Sequence, residues 1–240
     1  MQIILNAFWL QKSGNLPSEY EDAFSYSTIT QDKDAEFLCA VADGATETSF
    51  SGLWARILTD AYVKKYLTNI NQDMIKDLSQ QWRFEIQEST KEKPLPWYAE
   101  EKLNKGAYSS LMGLTLNPDG SWSGICVGDS CLFQIRGASN LSFPYENPQQ
   151  FNNTPSLIST NLMNNTMINP LNLQGNWQSG DYFFLMTDAL GHYFISDRHL
   201  KRRFRAKIFD QSYFEELIYT AQKNKLCKND DITLLIINVK

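Results

Sequence analysis

Phe37-Leu38-Cys39-Ala40-Val41-Ala42-Asp43-Gly44 is the stretch on which the fold of this chain turns. Six apolar residues end abruptly in an acid and a glycine. A short apolar run closed by a turn signal predicts a buried strand. A carboxylate at its end is costly to desolvate unless a positive charge meets it. The glycine lets the backbone carbonyl approach whatever Asp43 holds. The pattern recurs in Ile125-Cys126-Val127-Gly128-Asp129 and in Tyr182-Phe183-Phe184-Leu185-Met186-Thr187-Asp188. Asp230-Asp231-Ile232-Thr233-Leu234-Leu235-Ile236-Ile237 runs the other way, acids first. In an antiparallel sheet the end of one strand lies beside the start of its neighbour. Four strands of one sheet are therefore expected to present their acids at one end, as an oxygen-rich site for a hard cation.

The rest of the composition narrows the function. With 240 residues and 42% hydrophobic content, the chain can bury a sizeable core, and we expect a single domain over residues 1–240. A net charge of −5 argues against nucleic acid as partner. Met1 to Leu10 is too short and too uncharged for a signal peptide, and no apolar run approaches a membrane span. Cys39, Cys126, Cys131 and Cys227 lack metal-ligand spacing and read as buried, reduced thiols. We expect a cytoplasmic monomer without membrane attachment.

Along the chain, Met1 to Lys12 is a strand candidate, Ser13 to Pro17 a turn, and Ala23-Phe24 opens a second strand behind the acids Glu21 and Asp22. Asp32-Lys33-Asp34 reads as a hairpin tip. Ala45 to Ser51 is small and polar enough for a loop and a helix cap. Leu53, Trp54, Ile57, Leu58, Ala61, Tyr62 and Tyr66 share one helical face, as do Ile75, Leu78, Trp82 and Ile86. Pro94-Leu95-Pro96 breaks the pattern, and a short helix is expected over 97–105, stopped by Gly106. Ala107 to Leu116 reads as one strand, Asn117-Pro118-Asp119-Gly120 as a hairpin turn, and Trp122 to Asp129 with Cys131 to Ile135 as a continuing meander. Asn140 to Gln178 gives no regular signal and reads as a long surface segment. Arg198 to Lys207 carries six basic residues and reads as a solvated helix face before a phosphate-binding patch. Tyr213, Phe214, Leu217, Ile218 and Ala221 mark the last helix, and Asp230 to Val239 the last strand. Strand runs with two helix groups give an α+β fold, helices on stacked antiparallel sheets.

Five segments together resemble the type 2C metal-dependent protein phosphatases. They are Glu21-Asp22-Ala23-Phe24, Val41-Ala42-Asp43-Gly44, Val127-Gly128-Asp129-Ser130, Thr187-Asp188 and Asp230-Asp231-Ile232-Thr233, in family order over residues 21–237. The resemblance implies a four-layer α-β-β-α sandwich with two Mg²⁺ or Mn²⁺ ions at one end. It implies hydrolysis of phosphoserine or phosphothreonine in a phosphorylated protein substrate, through a water bridging the two ions, in a bacterial-type signalling role. Carried over, Asp43 bridges both metals, the Gly44 carbonyl binds one, and Asp22, Asp188 and Asp230 complete the core ligands. Asp129 matches an acid that holds a third ion; Glu21 and Asp231, read on their own, are supporting or surface residues rather than ligands. Three departures are visible. Lys12 is the sole basic residue before Asp22, where the family has a phosphate-binding arginine. No histidine lies between Gly44 and Gly106. The family's Thr-Asp-Gly is Thr187-Asp188-Ala189, with His192 where a further acid is expected.

On this reading Asp43, Asp22 and Lys12 are the candidate catalytic residues, with Lys12 at the substrate phosphate. His192, one helical turn past Asp188, joins Asp129 at a third site tilted from Mg²⁺ toward Mn²⁺. A phosphate monoester is anionic with a poor leaving group, and paired cations on rigid carboxylates meet that difficulty. With only His192 and His199 in the chain, a Ser-His-Asp triad or a multi-histidine zinc site is unsupported. Two other readings stand beside the phosphatase: a non-catalytic phosphatase-like binding module in signalling, and a hydrolase of small phosphate esters.

Overall fold

The Phe37 run folds as β3 (Phe37–Ala42), buried along its whole length because both faces are covered. Phe37, Cys39 and Val41 point into a core between two sheets, while Leu38, Ala40 and Ala42 point toward helices. The last strand, β12 (Ile232–Val239), does the same, with Leu235, Ile237 and Val239 between the sheets and Ile232, Leu234 and Ile236 under helices. Two-sided burial is why both strands read as continuous apolar runs rather than alternating ones. The computed structural model describes every residue except 30–33, 68–69, 92–99, 101–102, 104, 153, 166–167 and 207–208.

The first sheet orders β1 (Ile3–Leu10), β12, β11 (Tyr182–Met186), β7 (Cys131–Arg136) and β8 (Ser139–Phe143). The second orders β10 (Leu171–Asn176), β6 (Ser121–Val127), β5 (Leu111–Leu116), β3 and β2 (Ala23–Tyr26). Every pairing within them is antiparallel. A two-stranded ribbon joins β4 (Tyr108–Ser109) to β9 (Ile158–Ser159). Helices α1 (Ser51–Val63) and α2 (Gln72–Thr90) bury Trp54, Leu58, Trp82 and Ile86 against the second sheet. Helices α3 (Asp188–Ser196), α4 (Leu200–Arg203) and α5 (Gln211–Lys223) bury Leu190, Phe194, Phe204 and Phe214 against the first. The result is the four-layer α-β-β-α sandwich of the α+β class. Among the described residues no helix is long and apolar enough to cross a membrane.

Several expectations need correction. The acid-ended strands lie in two stacked sheets, not one. The meander does not continue past Val127: the chain leaves the second sheet at Gly128-Asp129-Ser130 and enters the first as β7. Gly128 makes that crossing with φ +90, and a Cβ there would lie 2.7 Å from Ser110 Cβ. Ala107–Leu116 is two strands rather than one, parted at Ser110, whose N–H turns to the Asp43 carbonyl at 2.9 Å. The 140–178 segment contains β8, β9 and β10. Both β8 and β10 are edge strands with mostly exposed side chains, so no apolar period marked them. Helix α1 has no polar cap, because Phe50 occupies the N-cap in the left-handed region. Tyr66 lies beyond α1, exposed, and donates its hydroxyl proton to Asp77. Most of the 198–207 basic run is exposed, with Leu200 and Phe204 anchoring it to the core; Lys207 lies outside the described residues. Asp32 and Lys33 of the hairpin tip, the Pro94-Leu95-Pro96 break and most of the 97–105 helix also lie outside them.

Candidate active site

Strand register brings the acids together in two pairs. In the second sheet Ala23 pairs with Ala42, which sets Asp22 beside Asp43. In the first sheet Met186 pairs with Leu234, which sets Asp188 near Asp230 and Asp231. Stacking faces these pairs across one end of the sandwich, and the sheet-to-sheet crossing adds Asp129. Asp43, Asp129, Asp188, Asp230 and His192 line a single cleft of about 1060 Å³.

Hydrogen bonds fix several of these acids. The Asp43 N–H donates to Ser110 Oγ at 2.9 Å, and its carbonyl accepts from Ser109 Oγ at 2.9 Å, leaving the carboxylate to face the cleft. Gly44 follows in an isolated β-bridge with Ser109. Asp188 opens α3, where the helix dipole favours a negative charge. Asp231 is no cleft residue: its oxygens accept from the Lys12 N–H at 2.6 Å and the Glu21 N–H at 2.7 Å, locking β1 to the approach of β2. Glu21 accepts from Ser51 Oγ at 2.6 Å at the start of α1.

Asp22 is buried beneath the cleft floor. Its Oδ2 accepts from Thr187 Oγ1 at 2.9 Å and Thr233 Oγ1 at 2.8 Å, so a residue of the second sheet is clamped by two hydroxyls of the first. Thr233 also shares a short hydroxyl contact with Tyr20. The other oxygen, Asp22 Oδ1, is buried without any hydrogen-bond partner. A buried carboxylate oxygen left bare costs on the order of 1–3 kcal/mol, more when charged, so this atom is held for something other than protein hydrogen.

Electrostatics say the same. Burial, then Asp22, Asp188, Asp129 and Asp230, holds the Asp43 carboxyl well above its usual range. Burial and neighbouring acids also raise Asp22, and burial and Asp188 push Asp129 up to about 7. Lys228 opposes this field from within the cleft. Lys228 Nζ lies 2.8 Å from Asp230 Oδ2 and 3.8 Å from Asp188 Oδ2. Lys12 stands outside the cleft lining, with its ammonium 3.9 Å from Asp230. His192 is exposed, its ring edge-on to Phe151 at 5.5 Å between centroids.

The donor set is all oxygen at Asp22, Asp43, Asp129, Asp188 and Asp230, which suits a hard divalent cation. Among the described residues no three Asp, Glu, His or Cys side chains already converge to cage an ion. Drawing them onto one therefore takes side-chain rotation, and Asp22 Oδ1 has no hydrogen bond to give up. The sequence reading missed Lys228 and the clamping roles of Thr187 and Thr233. The signal for Lys228 was its place two residues before Asp230.

These carboxylates carry a stability consequence. An acid whose folded pKa is raised binds protons more tightly folded than unfolded. Its stabilising contribution is present below its unfolded value, about 3.9, and is lost as pH rises through the folded value. For Asp129 that loss runs up to about 7. We expect the chelator-treated protein to melt at a lower temperature at about pH 8 than at about pH 5.5, and Mn²⁺ to flatten the difference. Thermal unfolding followed by circular dichroism checks this; a melting temperature that rises with pH in chelator contradicts the like-charge account.

The sequence profile described as Protein phosphatase 2C matches residues 16–228. Solved structures with the same fold include the serine/threonine phosphatase Stp1 from Staphylococcus aureus, 14% identical with a TM-score of 0.64, the match covering 100% of this chain and 96% of that one. RsbX in complex with magnesium is 17% identical with a TM-score of 0.57, covering 99% and 96%. The Mycobacterium tuberculosis serine/threonine phosphatase PstP/Ppp is 12% identical with a TM-score of 0.61, covering 100% of each chain. No curated protein matches in sequence.

Proposed function

Because this chain belongs to the protein phosphatase 2C family, and is thus a phosphoprotein phosphatase, we propose that it hydrolyses phosphoserine and phosphothreonine in proteins with the help of two divalent ions, Mg²⁺ or Mn²⁺. Asp43 would hold both ions, with Asp22, Asp188, Asp230 and the Gly44 carbonyl sharing the remaining protein ligands. When bound, such a pair supplies Lewis acidity toward the phosphoryl oxygens and a hydroxide nucleophile near neutral pH. The observation that carries this reading is Asp22 Oδ1, bare and buried beside Asp43 beneath a cleft walled by carboxylates.

The chain's own residues do the positioning. Thr187 and Thr233 hold Asp22 by one oxygen and leave the other to ligate. Ser109 and Ser110 hold the Asp43 backbone, and Asp231 holds Glu21 and Lys12. Lys12 balances Asp230 from outside the cleft. The free, buried state of all four cysteines supports a reducing, cytoplasmic setting.

Turnover of p-nitrophenyl phosphate and of a phosphothreonine peptide, with and without Mn²⁺, tests the reading. Mn²⁺-dependent release of phosphate from the peptide is expected. Mn²⁺ binding without turnover would point to a binding module, and turnover of small esters alone to a small-molecule hydrolase.

A third ion is proposed at Asp129 and His192, which share the cleft wall. Imidazole in place of a carboxylate removes a hard oxygen ligand and favours Mn²⁺ over Mg²⁺. His192→Asp is expected to lower the Mg²⁺ concentration giving half-maximal activity by about tenfold. Overlaying Mg²⁺ and Mn²⁺ activation curves for parent and variant would remove His192 from the site.

A further inference from the structure

A phosphorylated side chain entering the cleft meets Asp43, Glu47, Asp129, Asp188 and Asp230. Even three divalent ions would balance these five acids and Asp22 without outweighing them, so an anionic phosphate still needs a cation from the protein. Among the described residues lining the cleft, the lysines and arginines are Lys225 and Lys228.

Both lysines come from the connection between α5 and β12, and that connection is braced. Lys225 takes the left-handed conformation, φ +59, and its N–H donates to the Gln222 carbonyl at 2.9 Å. Gln222 Nε2 donates to the Lys228 carbonyl at 3.3 Å. Asn229 exchanges two hydrogen bonds with the Ser13 backbone, at 2.8 and 3.2 Å, which pins the connection to the end of β1. The backbone under Lys228 is thus fixed while its side chain is 66% exposed.

The ammonium of Lys228 rests on Asp230 and Asp188. With those carboxylates engaged as ligands of a divalent ion, the ammonium would lose them as partners. The flexible four-carbon stem lets it turn to another anion within the same cleft. We propose that Lys228 is the phosphate anchor of this cleft, exchanging Asp188 and Asp230 for the phosphoryl oxygens of a phosphoserine or phosphothreonine substrate, a role that rests on the phosphatase reading above. Lysine serves there as a point charge rather than a bidentate fork.

Calorimetry of inorganic phosphate binding to the Mn²⁺-loaded protein tests the anchor directly. Lys228→Met is expected to weaken phosphate binding about tenfold, and Lys228→Arg to restore most of it. The Michaelis constant for a phosphothreonine peptide should rise in the same proportion, with kcat changing less. Mn²⁺ titrated alone should bind Lys228→Met as tightly as the parent or more so, since the ammonium no longer contends for its ligands. A purely structural lysine gives the opposite pattern: weaker Mn²⁺ binding, a lower melting temperature, and unchanged phosphate affinity once loaded. That pattern, unchanged phosphate affinity in Lys228→Met, or no phosphate binding by the Mn²⁺-loaded parent overturns the proposal. Lys228-dependent phosphate binding by a parent protein that hydrolyses no phosphopeptide would end the catalytic reading and leave the anchor standing.

Discussion

Asp43→Asn is expected to lower kcat/KM for a phosphothreonine peptide by about a thousandfold at saturating Mn²⁺, a loss of roughly 4 kcal/mol of transition-state stabilisation. Asparagine keeps the shape and one acceptor oxygen, but not the charge. The residue lost is a carboxylate on which burial and four other acids converge. The fold should survive, because Asp43 is held by its main-chain N–H and carbonyl through Ser110 and Ser109, and these bonds do not involve the side chain. In chelator the variant should melt higher than the parent, since one member of a repelling cluster is gone. The fall of stability with rising pH should also become shallower. Activity, Mn²⁺ calorimetry and thermal unfolding in chelator together decide the matter. Retained turnover at saturating Mn²⁺ would defeat the assignment of Asp43 to the ions, and a lower melting temperature in chelator would defeat the repulsion argument.

The parts of this architecture that sequence revealed are those where one residue pattern answers to one local environment. The β3 and β12 runs are apolar on both faces because sheet and helix cover both faces. Helix α2 showed its Ile75-Leu78-Trp82-Ile86 stripe because one face alone is buried. What stayed hidden depends on contacts far apart in the chain. Whether β7 stays beside β6 or crosses to the other sheet is decided at Gly128, where the space left by Ser110 excludes a side chain. The exposed edge strands β8 and β10 bury too little to leave a period. The acids of the site were legible, because acids ending apolar strands are unusual enough to need a cause. Their positioning groups were not. Thr187 and Thr233 reach Asp22 across the two sheets, and a threonine in a strand is an ordinary residue until that pairing is known. Lys228 looked like any exposed lysine for the same reason.

Gly44→Ala, a change of one methyl group, should damage both stability and site. Gly44 does not use the left-handed backbone that often explains a glycine; its requirement is space. A Cβ at this position would lie 2.6 Å from the Glu21 carbonyl oxygen, 2.7 Å from Ser51 C and 2.8 Å from Ser51 O. All three are backbone atoms, so no side chain can rotate away to relieve the contact. Relief requires moving the approach to β2 or the first residue of α1. Either shift disturbs the acids, since Glu21 immediately precedes Asp22, and Ser51 Oγ donates to Glu21 Oε1 at 2.6 Å. Asp22 in turn is clamped by Thr187 and Thr233, so displacing it strains the join between the sheets. Overpacking of this kind costs about 3 kcal/mol. The midpoint of urea unfolding should fall accordingly, with little change in its slope. Mn²⁺ binding should weaken about tenfold or more, because ligand placement is lost along with packing. A Gly44→Ala protein with parental stability and Mn²⁺ affinity would mean that the Glu21–Ser51 gap is wider in solution, and that Gly44 does not set the position of Asp22.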